Sequence, residues 1–239
     1  MAQLFCGTSG FAYPSWKPDF YPGKIGQKDF LKHYATRLNA VEINYTFRQL
    51  PSASTLEKWV EATPAGFVFA CKAHQRITHI QRLKESEFTP LFFRAIDPLR
   101  SARRLGPVLF QLPPNLKCDV ALLTAFVEKL PPDLRYAFEF RNTSWLVDEV
   151  YRLLEKHQLS LCLAESDKLE IPLVITAPFV YSRLRKGDYT PEERAEIKSR
   201  VDRLLAESRD VYVFFKHEET AAGAVYAEEL LKSFHLDPA

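Results

Sequence analysis

Two glutamates and one lysine stand at the ends of short apolar segments in this chain. Glu42, Lys72 and Glu139 each follow a run rich in Val, Ile, Ala or Phe. A pair of carboxylates in one site can supply a general acid and a general base when their surroundings separate the two pKa values. A desolvated lysine can form a Schiff base, although Lys and Arg in a site more often bind an anion. These three residues are our candidate catalytic groups.

A second set of polar residues near the ends of such segments is predicted to bind the substrate. They are Asn44, His74, Gln111, Arg141, Tyr181, Arg183 and Lys216. The cations among them favour a small anionic ligand, phosphorylated or sugar-like, because charged hydrogen bonds are strong. Acid/base chemistry on such a ligand would make the protein a hydrolase, lyase or isomerase. These residues do not indicate a particular cofactor.

A structural interpretation of the same residues is the alternative. Lys72 would then pair with Glu42 on a neighbouring strand, and Arg141 with Glu139 or Glu165. Buried charges require partners or solvent, but buried ion pairs are weak evidence for stability. Functional and structural roles therefore both remain open at this point.

Eight apolar segments rich in β-branched or aromatic residues position these side chains. They are Leu4–Ser9, Ala40–Asn44, Phe67–Ala73, Pro107–Leu112, Arg135–Arg141, Ser160–Glu165, Phe179–Arg183 and Val211–His217. Segments of helical character separate most of them or follow the last. These are Lys28–Leu38, Ser52–Ala62, Thr89–Arg104, Asp119–Leu130, Trp145–His157, Pro191–Ser208 and Gly223–Phe234. Alternation of this kind implies parallel strands.

We therefore predict an α/β fold in which residues 1–239 form a single (β/α)8 TIM-like barrel. The sixth helix should be short or missing, because Asp167–Thr176 is brief and contains Pro172. An open doubly wound sheet is the alternative, but the chain has no GxGxxG motif and Gly7–Gly10 is not followed by the Gly-Lys-Ser/Thr of a phosphate-binding loop.

Strand side chains alternate between faces, and such barrels place active sites at the carboxyl ends of their strands. Val41 and Ile43 should face the helices, which turns Glu42 inward. The same alternation turns Lys72 and Glu139 inward. It also offers Glu165 from the sixth strand, and Lys216 or His217 from the eighth. The polar residues should thus meet at one mouth.

Neither a metal site nor a disulfide is predicted. Glu42, Glu139, Glu165, Asp167 and His217 are possible ligands, but no HExxH or similar spacing joins them. The four cysteines form no CxxC pair, so free thiols are expected.

The overall charge restricts the possible partners. Lys and Arg number 32 against 30 Asp and Glu, which gives a net charge of +2 and no general attraction to nucleic acid. The alternative of a non-catalytic barrel that binds nucleic acid or protein rests on aromatic residues interleaved with Lys17 and Lys24. No apolar run is long enough for a membrane span and the start lacks a signal-peptide layout, so we expect a cytoplasmic protein without membrane contact.

Five sequence blocks resemble those of the YecE-like proteins, the family called domain of unknown function 72. The blocks are GTSGFAYPSW, VEINYTFRQLP, FACKAHQRITH, LGPVLFQLPP and FEFRNTSW. The resemblance implies a single TIM-like barrel and no established reaction. Two later blocks depart from the family pattern: Arg185 and Lys186 replace its His-Gly, and Lys216–His217 replaces its Asn-Asn. These departures add cationic character.

Overall fold

Eight parallel strands form a closed barrel in sequence order, which confirms the predicted fold. The computed structural model describes residues 2–216 and 219–234. The strands are β1 (Leu4–Ser9), β2 (Ala40–Ile43), β3 (Val68–Lys72), β4 (Leu105–Gln111), β5 (Tyr136–Glu139), β6 (Ser160–Ala164), β7 (Phe179–Leu184) and β8 (Asp210–Phe215). Pairing of β1 with β8 closes the sheet.

Helices alternate with most of the strands along the chain. They are α1 (Phe30–Tyr34), α2 (Tyr45–Arg48), α3 (Ala53–Glu61), α4 (Phe88–Ser101), α5 (Val120–Val127), α6 (Asp148–Lys156), α7 (Pro191–Ala206) and α8 (Ala222–Lys232). The segment between β6 and β7 is irregular, as the short, proline-containing sequence predicted. The start of α7 has a complete capping box, in which Thr190 and Glu193 satisfy each other's backbone N–H groups.

The inner face of the barrel is lined by side chains of alternating strand positions. Small residues dominate on β2, β3 and β5, where Ala40, Ala70 and Ala137 are fully buried. Aromatic residues fill the space opposite them on β7 and β8. The last inward-facing residue of each strand lies at the carboxyl end of the barrel, and the polar side chains lie at this end.

The aromatic loop after β1 packs against α1 instead of lining an open surface. Trp16, Phe20 and Tyr21 are fully buried, and Tyr21 stacks on Phe30 with ring centroids 4.2 Å apart. Lys17 contributes to the same cluster, with its amine 5.4 Å from the Phe30 ring centroid. The loop therefore contributes mainly core packing.

All four cysteines are free thiols, and Cys6, Cys71 and Cys162 are buried. Among the described residues, no helix combines the length and the apolar character that a bilayer crossing requires.

Candidate functional site

Arg183 joins the two candidate glutamates at the carboxyl end of the barrel. Its Nη2 donates to Oε1 of Glu42 at 2.7 Å, and its Nη1 donates to Oε2 of Glu139 at 2.5 Å. The three side chains are at most 3% exposed. The carboxylates that the sequence assigned to one site therefore do share one, with a guanidinium between them.

Three further side chains hold Glu42. Ser9 on β1 donates to its Oε1 at 2.8 Å, and Tyr181 on β7 donates to its Oε2 at 2.8 Å. The Asn44 amide makes a longer bond of 3.3 Å. Strand register explains Ser9, because Ser9 pairs with Glu42 across β1 and β2. Ser9 was not among the predicted site residues, although strand alternation places it on the inward face at the end of the first segment.

Glu139 is held from the neighbouring strand and from two loop cations. Gln111, its register partner on β4, donates to Oε1 at 2.8 Å, and Arg141 donates to the same oxygen at 2.9 Å. Arg185 approaches it at 3.9 Å. Arg185 was noted in the sequence only as a departure from a family pattern, because it lies beyond the end of β7.

Both glutamates are held in their ionised form. Burial by itself would raise the pKa of each carboxyl group, but nearby cations outweigh it. Arg183 is the principal cation at Glu42 and lowers its pKa. Arg183, Arg185 and Arg141 together lower the pKa of Glu139 to about 2. Neither carboxyl group therefore carries a proton to donate near neutral pH.

Lys72 lies against an aromatic ring instead of pairing with Glu42. Its Nζ sits 4.1 Å from the centroid of Phe47 on α2, and the described residues offer it no salt bridge within 4.0 Å. The Lys72–Glu42 ion pair of the structural alternative is therefore not formed, because Arg183 pairs with that carboxylate. Burial is the largest cause, followed by repulsion from Arg183, of a fall in the Lys72 pKa to about 8.

A broad pocket of about 930 Å³ opens beside Glu139, above the ends of β5 to β8. Its lining includes the side chains of six cations from separate loops and helices. They are Arg141, Lys168, Arg185, Lys186, Arg200 and Lys216. Acidic side chains also line it, of which Glu165 is held by neighbours on the next loop. The pocket therefore presents a mainly cationic wall next to the carboxylate cluster.

The predicted inward position of Glu165 is wrong. Strand β6 ends at Ala164, which shares the interior with Cys162, so Glu165 falls on the loop beyond the strand. Its Oε2 accepts hydrogen bonds from the Arg185 backbone N–H at 2.6 Å and from the Tyr189 hydroxyl. Glu165 therefore fastens the loop after β7 to the loop after β6.

The comparison with known families covers almost the whole chain. The family model described as "Protein of unknown function DUF72" matches residues 5–239. The chain belongs to the DUF72 family. It is 26% identical to the UPF0759 protein YunF of Bacillus subtilis (strain 168), with 98% of this chain and 96% of the relative aligned.

Solved structures agree with the barrel of this DUF72 protein. A DUF72 family protein of Thermotoga maritima matches at 26% identity with a TM-score of 0.86, over 98% of this chain and 99% of that chain. An AP endonuclease, family 2, from Brucella melitensis matches at 11% identity with a TM-score of 0.52, over 98% of both chains. The second similarity shows the fold alone.

Two predicted binding residues of the DUF72 chain lie apart from the carboxylates. His74 receives the Arg76 backbone N–H at Nδ1, and its Nε2 lies 3.1 Å from the Arg48 carbonyl oxygen, so its ring links loops. Lys216 is exposed on the pocket wall. His217 lies outside the described residues. Among those residues, no group of three or more His, Cys, Asp or Glu side chains is arranged to hold a metal ion.

Proposed function

We propose that this DUF72 protein is an enzyme that performs acid/base chemistry on a small anionic substrate at the mouth of its barrel. The observation that carries the proposal is an excess of positive charge around a carboxylate pair. Glu42 and Glu139 are buried together with Arg183, while Arg141, Arg185 and Lys72 act on the same cluster. A bound anion would balance the remaining cations, as buried charge requires.

Arg141 and Arg185 are the proposed anion ligands. Both Nη atoms of Arg183 already bind carboxylates, and its remaining donor, Nε, is buried without a hydrogen-bond partner in a side chain only 3% exposed, so Arg183 is less accessible to a substrate than the other two arginines. The Arg141 side chain is 37% exposed and the Arg185 side chain 22% exposed, and both line the pocket. Lys186 and Lys216 extend the same cationic wall outward. This arrangement supports a phosphate or carboxylate group placed beside Glu139.

Lys72 is the proposed proton-transfer group. With a pKa of about 8, roughly a tenth of its amine is neutral at pH 7 and can accept a proton. The two ionised glutamates would act as the fixed negative charges that orient Arg183 and stabilise developing positive charge. The proposal therefore keeps Glu42 and Glu139 in the catalytic machinery and gives Lys72 the mobile proton.

Ligand-induced stabilisation tests the anion site before any substrate is known. Melting temperatures are measured with inorganic phosphate, sugar phosphates and small carboxylates, for the natural chain and for Arg141→Ala and Arg185→Ala. Each variant should weaken the best anion by roughly tenfold or more. Arg100→Ala is the matched control, because Arg100 is similarly exposed but pairs with Asp133 on the outside of the barrel. An equal loss in the control would refute the site.

Turnover tests the chemistry once an anion is found. Candidate hydrolase, lyase and isomerase reactions of that anion are screened, and Lys72→Met should reduce turnover by roughly 10²–10⁴ without weakening the anion's stabilising effect. The natural enzyme should show turnover that rises with pH up to about 8. A Lys72→Met protein with normal turnover would exclude proton transfer by this residue.

Nucleic-acid binding is the second candidate, and the exposed cations Lys168, Lys186 and Lys216, together with the half-buried Arg200, on one pocket wall favour it. The similarity to an AP endonuclease carries only the fold and names no substrate for this chain. A titration of single- and double-stranded oligonucleotides at several salt concentrations separates the candidates. Phosphate contacts would give a steep linear dependence of log affinity on log salt. A flat response would remove this candidate.

A further inference from the structure

We propose that Lys72 is a nucleophile that forms an imine with a carbonyl compound bearing an anionic group. The inference rests on the proposed function and deepens it, because the neutral amine proposed there to accept a proton would here attack the substrate, with the same cations binding the anion. The anion would bind Arg141, and the carbonyl carbon would lie at the amine of Lys72. Small oxo acids and phosphorylated aldehydes or ketones have this combination of groups.

The position of the amine supports this role. Lys72 is the last residue of β3, on the inward face at the carboxyl end of the barrel. Its Nζ lies over the Phe47 ring at 4.1 Å, and no carboxylate among the described residues is within salt-bridge distance. The two buried glutamates are occupied by Arg183. The amine is therefore buried in the mouth without the ion pair that would hold it permanently charged.

The surroundings also disfavour the charged form of this amine. Burial lowers the Lys72 pKa most, and repulsion from Arg183 and Arg141 adds to it, against a partial opposing effect of Glu42 and Glu139. A lysine with a pKa near 8 is neutral in roughly a tenth of molecules at pH 7, compared with less than about a thousandth for an ordinary lysine. Only the neutral amine is a nucleophile.

The reaction balances without any oxidant or reductant. The lone pair of neutral Nζ attacks the carbonyl carbon and forms a C–N bond, while the carbonyl π electrons move to oxygen. A proton moves from nitrogen to that oxygen by exchange with water, which gives a carbinolamine. A proton from solvent then protonates that hydroxyl group, which leaves as water while the nitrogen lone pair forms the C=N bond of a protonated imine on Lys72. Arg183 and Arg141 repel the positive charge on this imine as they repel that of the amine, while Glu42, Glu139 and the bound anion oppose that repulsion.

The arginines explain why an anionic carbonyl compound is expected. Arg141 is close enough to Lys72 to affect its charge, and Arg141 also lines the open pocket. An anion on Arg141 would hold the carbonyl group near the amine, and this proximity raises the rate of attack. A neutral carbonyl compound has no such anchor. A faster reaction with the anionic compound therefore distinguishes a specific binding site from the general reactivity of lysine side chains.

Reductive trapping tests the inference on the whole chain. The protein is incubated with glyoxylate, pyruvate or glyceraldehyde 3-phosphate and with sodium cyanoborohydride, and the modified lysines are identified by peptide mass spectrometry. Acetone serves as the neutral carbonyl control. Lys72 should be modified at least about tenfold faster than the exposed Lys129 by the anionic compounds, and this preference should be smaller with acetone, which has no anionic group for Arg141.

Variants distinguish a reactive Lys72 from a merely buried one. Lys72→Arg should abolish the fast modification, whereas Lys129→Arg should leave it unchanged. Arg141→Ala should slow it while Lys72 is still present. Modification spread over lysines in order of exposure would overturn the inference. A second result would also overturn the inference: phosphate stabilises the protein in a way that depends on Arg141, but Lys72 stays unmodified. That result would leave the anion site of the proposed function intact.

Discussion

Charged side chains have different partners at the two ends of the barrel. At the amino-terminal end, Arg135 donates to Asp210 at 2.7 Å and to the Tyr212 hydroxyl at 2.9 Å, and its guanidinium lies 5.3 Å from the Phe179 ring. This cation meets one carboxylate, whereas the buried Arg104, just before β4, donates only to backbone carbonyl oxygens. Phe5 stacks on Tyr212 at 4.7 Å and fills the remaining space.

At the carboxyl-terminal end, the cluster is deeper and its charges are not matched one to one. Glu42 and Glu139 share Arg183, and three more cations act on them. The ion pair at the amino-terminal end is thus small and partly exposed, whereas the carboxyl-terminal end gathers several cations around two buried carboxylates. This difference is our strongest reason to propose a function at the carboxyl-terminal end.

Removal of the central arginine should have the largest effect. Arg183→Ala leaves two buried carboxylates without their partner, so we expect a loss of about 3–5 kcal/mol in the free energy of unfolding. Arg135→Ala, at an arginine whose side chain is 45% exposed, should lose about 1 kcal/mol or less. Urea unfolding at neutral pH measures both. Similar losses at the two ends would contradict the comparison.

A compensating variant separates lost charge balance from lost packing. If unpaired carboxylates cause the instability, then Arg183→Met combined with Glu42→Gln and Glu139→Gln should recover more than half of the loss. No recovery would show that the shape of the guanidinium matters more than its charge.

Acid should weaken the carboxyl-terminal cluster through Glu139. Its pKa falls from 4.5 to about 2 on folding, so its ionised form stabilises the native state above pH 4.5. That stabilisation, about 3 kcal/mol, should disappear as the pH falls from 4.5 towards 2. The difference in unfolding free energy between the natural chain and Glu139→Gln should shrink over this range. Glu61→Gln, at an exposed position of α3, is the control and should change little.

Glu139→Gln also distinguishes a chemical from a structural role. A structural role predicts a protein that melts early but turns over normally at low temperature. A direct role in the chemistry predicts turnover reduced by roughly 10²–10⁴ in the molecules that remain folded.

Alkaline pH should act on Lys72 in the opposite direction. Its pKa falls from 10.5 to about 8 on folding, so between these values the unfolded chain binds more protons than the native one. The natural chain should therefore gain stability, up to about 3 kcal/mol, between pH 8 and 10.5 relative to Lys72→Met. Unfolding curves of both proteins at matched pH measure the gain. A constant difference would show that Lys72 is not desolvated.

Strand parity predicted the carboxylate cluster well but not its surroundings. Alternation along two segments was enough to turn Glu42 and Glu139 inward, because every residue of a parallel strand faces either the barrel or the helices. It failed at Glu165, since the side chain of a loop residue does not follow strand alternation. Arg185 was missed for the same reason.

The partner of Lys72 could not be read from the sequence either. Phe47 lies on the short helix α2, which no helical pattern in the sequence indicated. Charged residues at the ends of strands can be identified from the sequence. Whether the amine of such a lysine forms an ion pair or an aromatic contact depends on which side chains lie beside it in the fold. Here both glutamates already form ion pairs with Arg183.

The smallest effect should come from the loop that presents Arg185. Glu165→Gln weakens the acceptor for the Arg185 and Lys186 backbone N–H groups and for the Tyr189 hydroxyl, so a loss of about 1 kcal/mol is expected. Because Arg185 then loses its fixed position, the best anion should bind a few-fold more weakly. Glu193→Gln is the matched control, because Glu193 contacts the Lys186 side chain without holding the Arg185 backbone. Calorimetric titration of the anion should show weaker binding only in the Glu165 variant. Equal affinities in the two variants would mean that Arg185 keeps its position without Glu165.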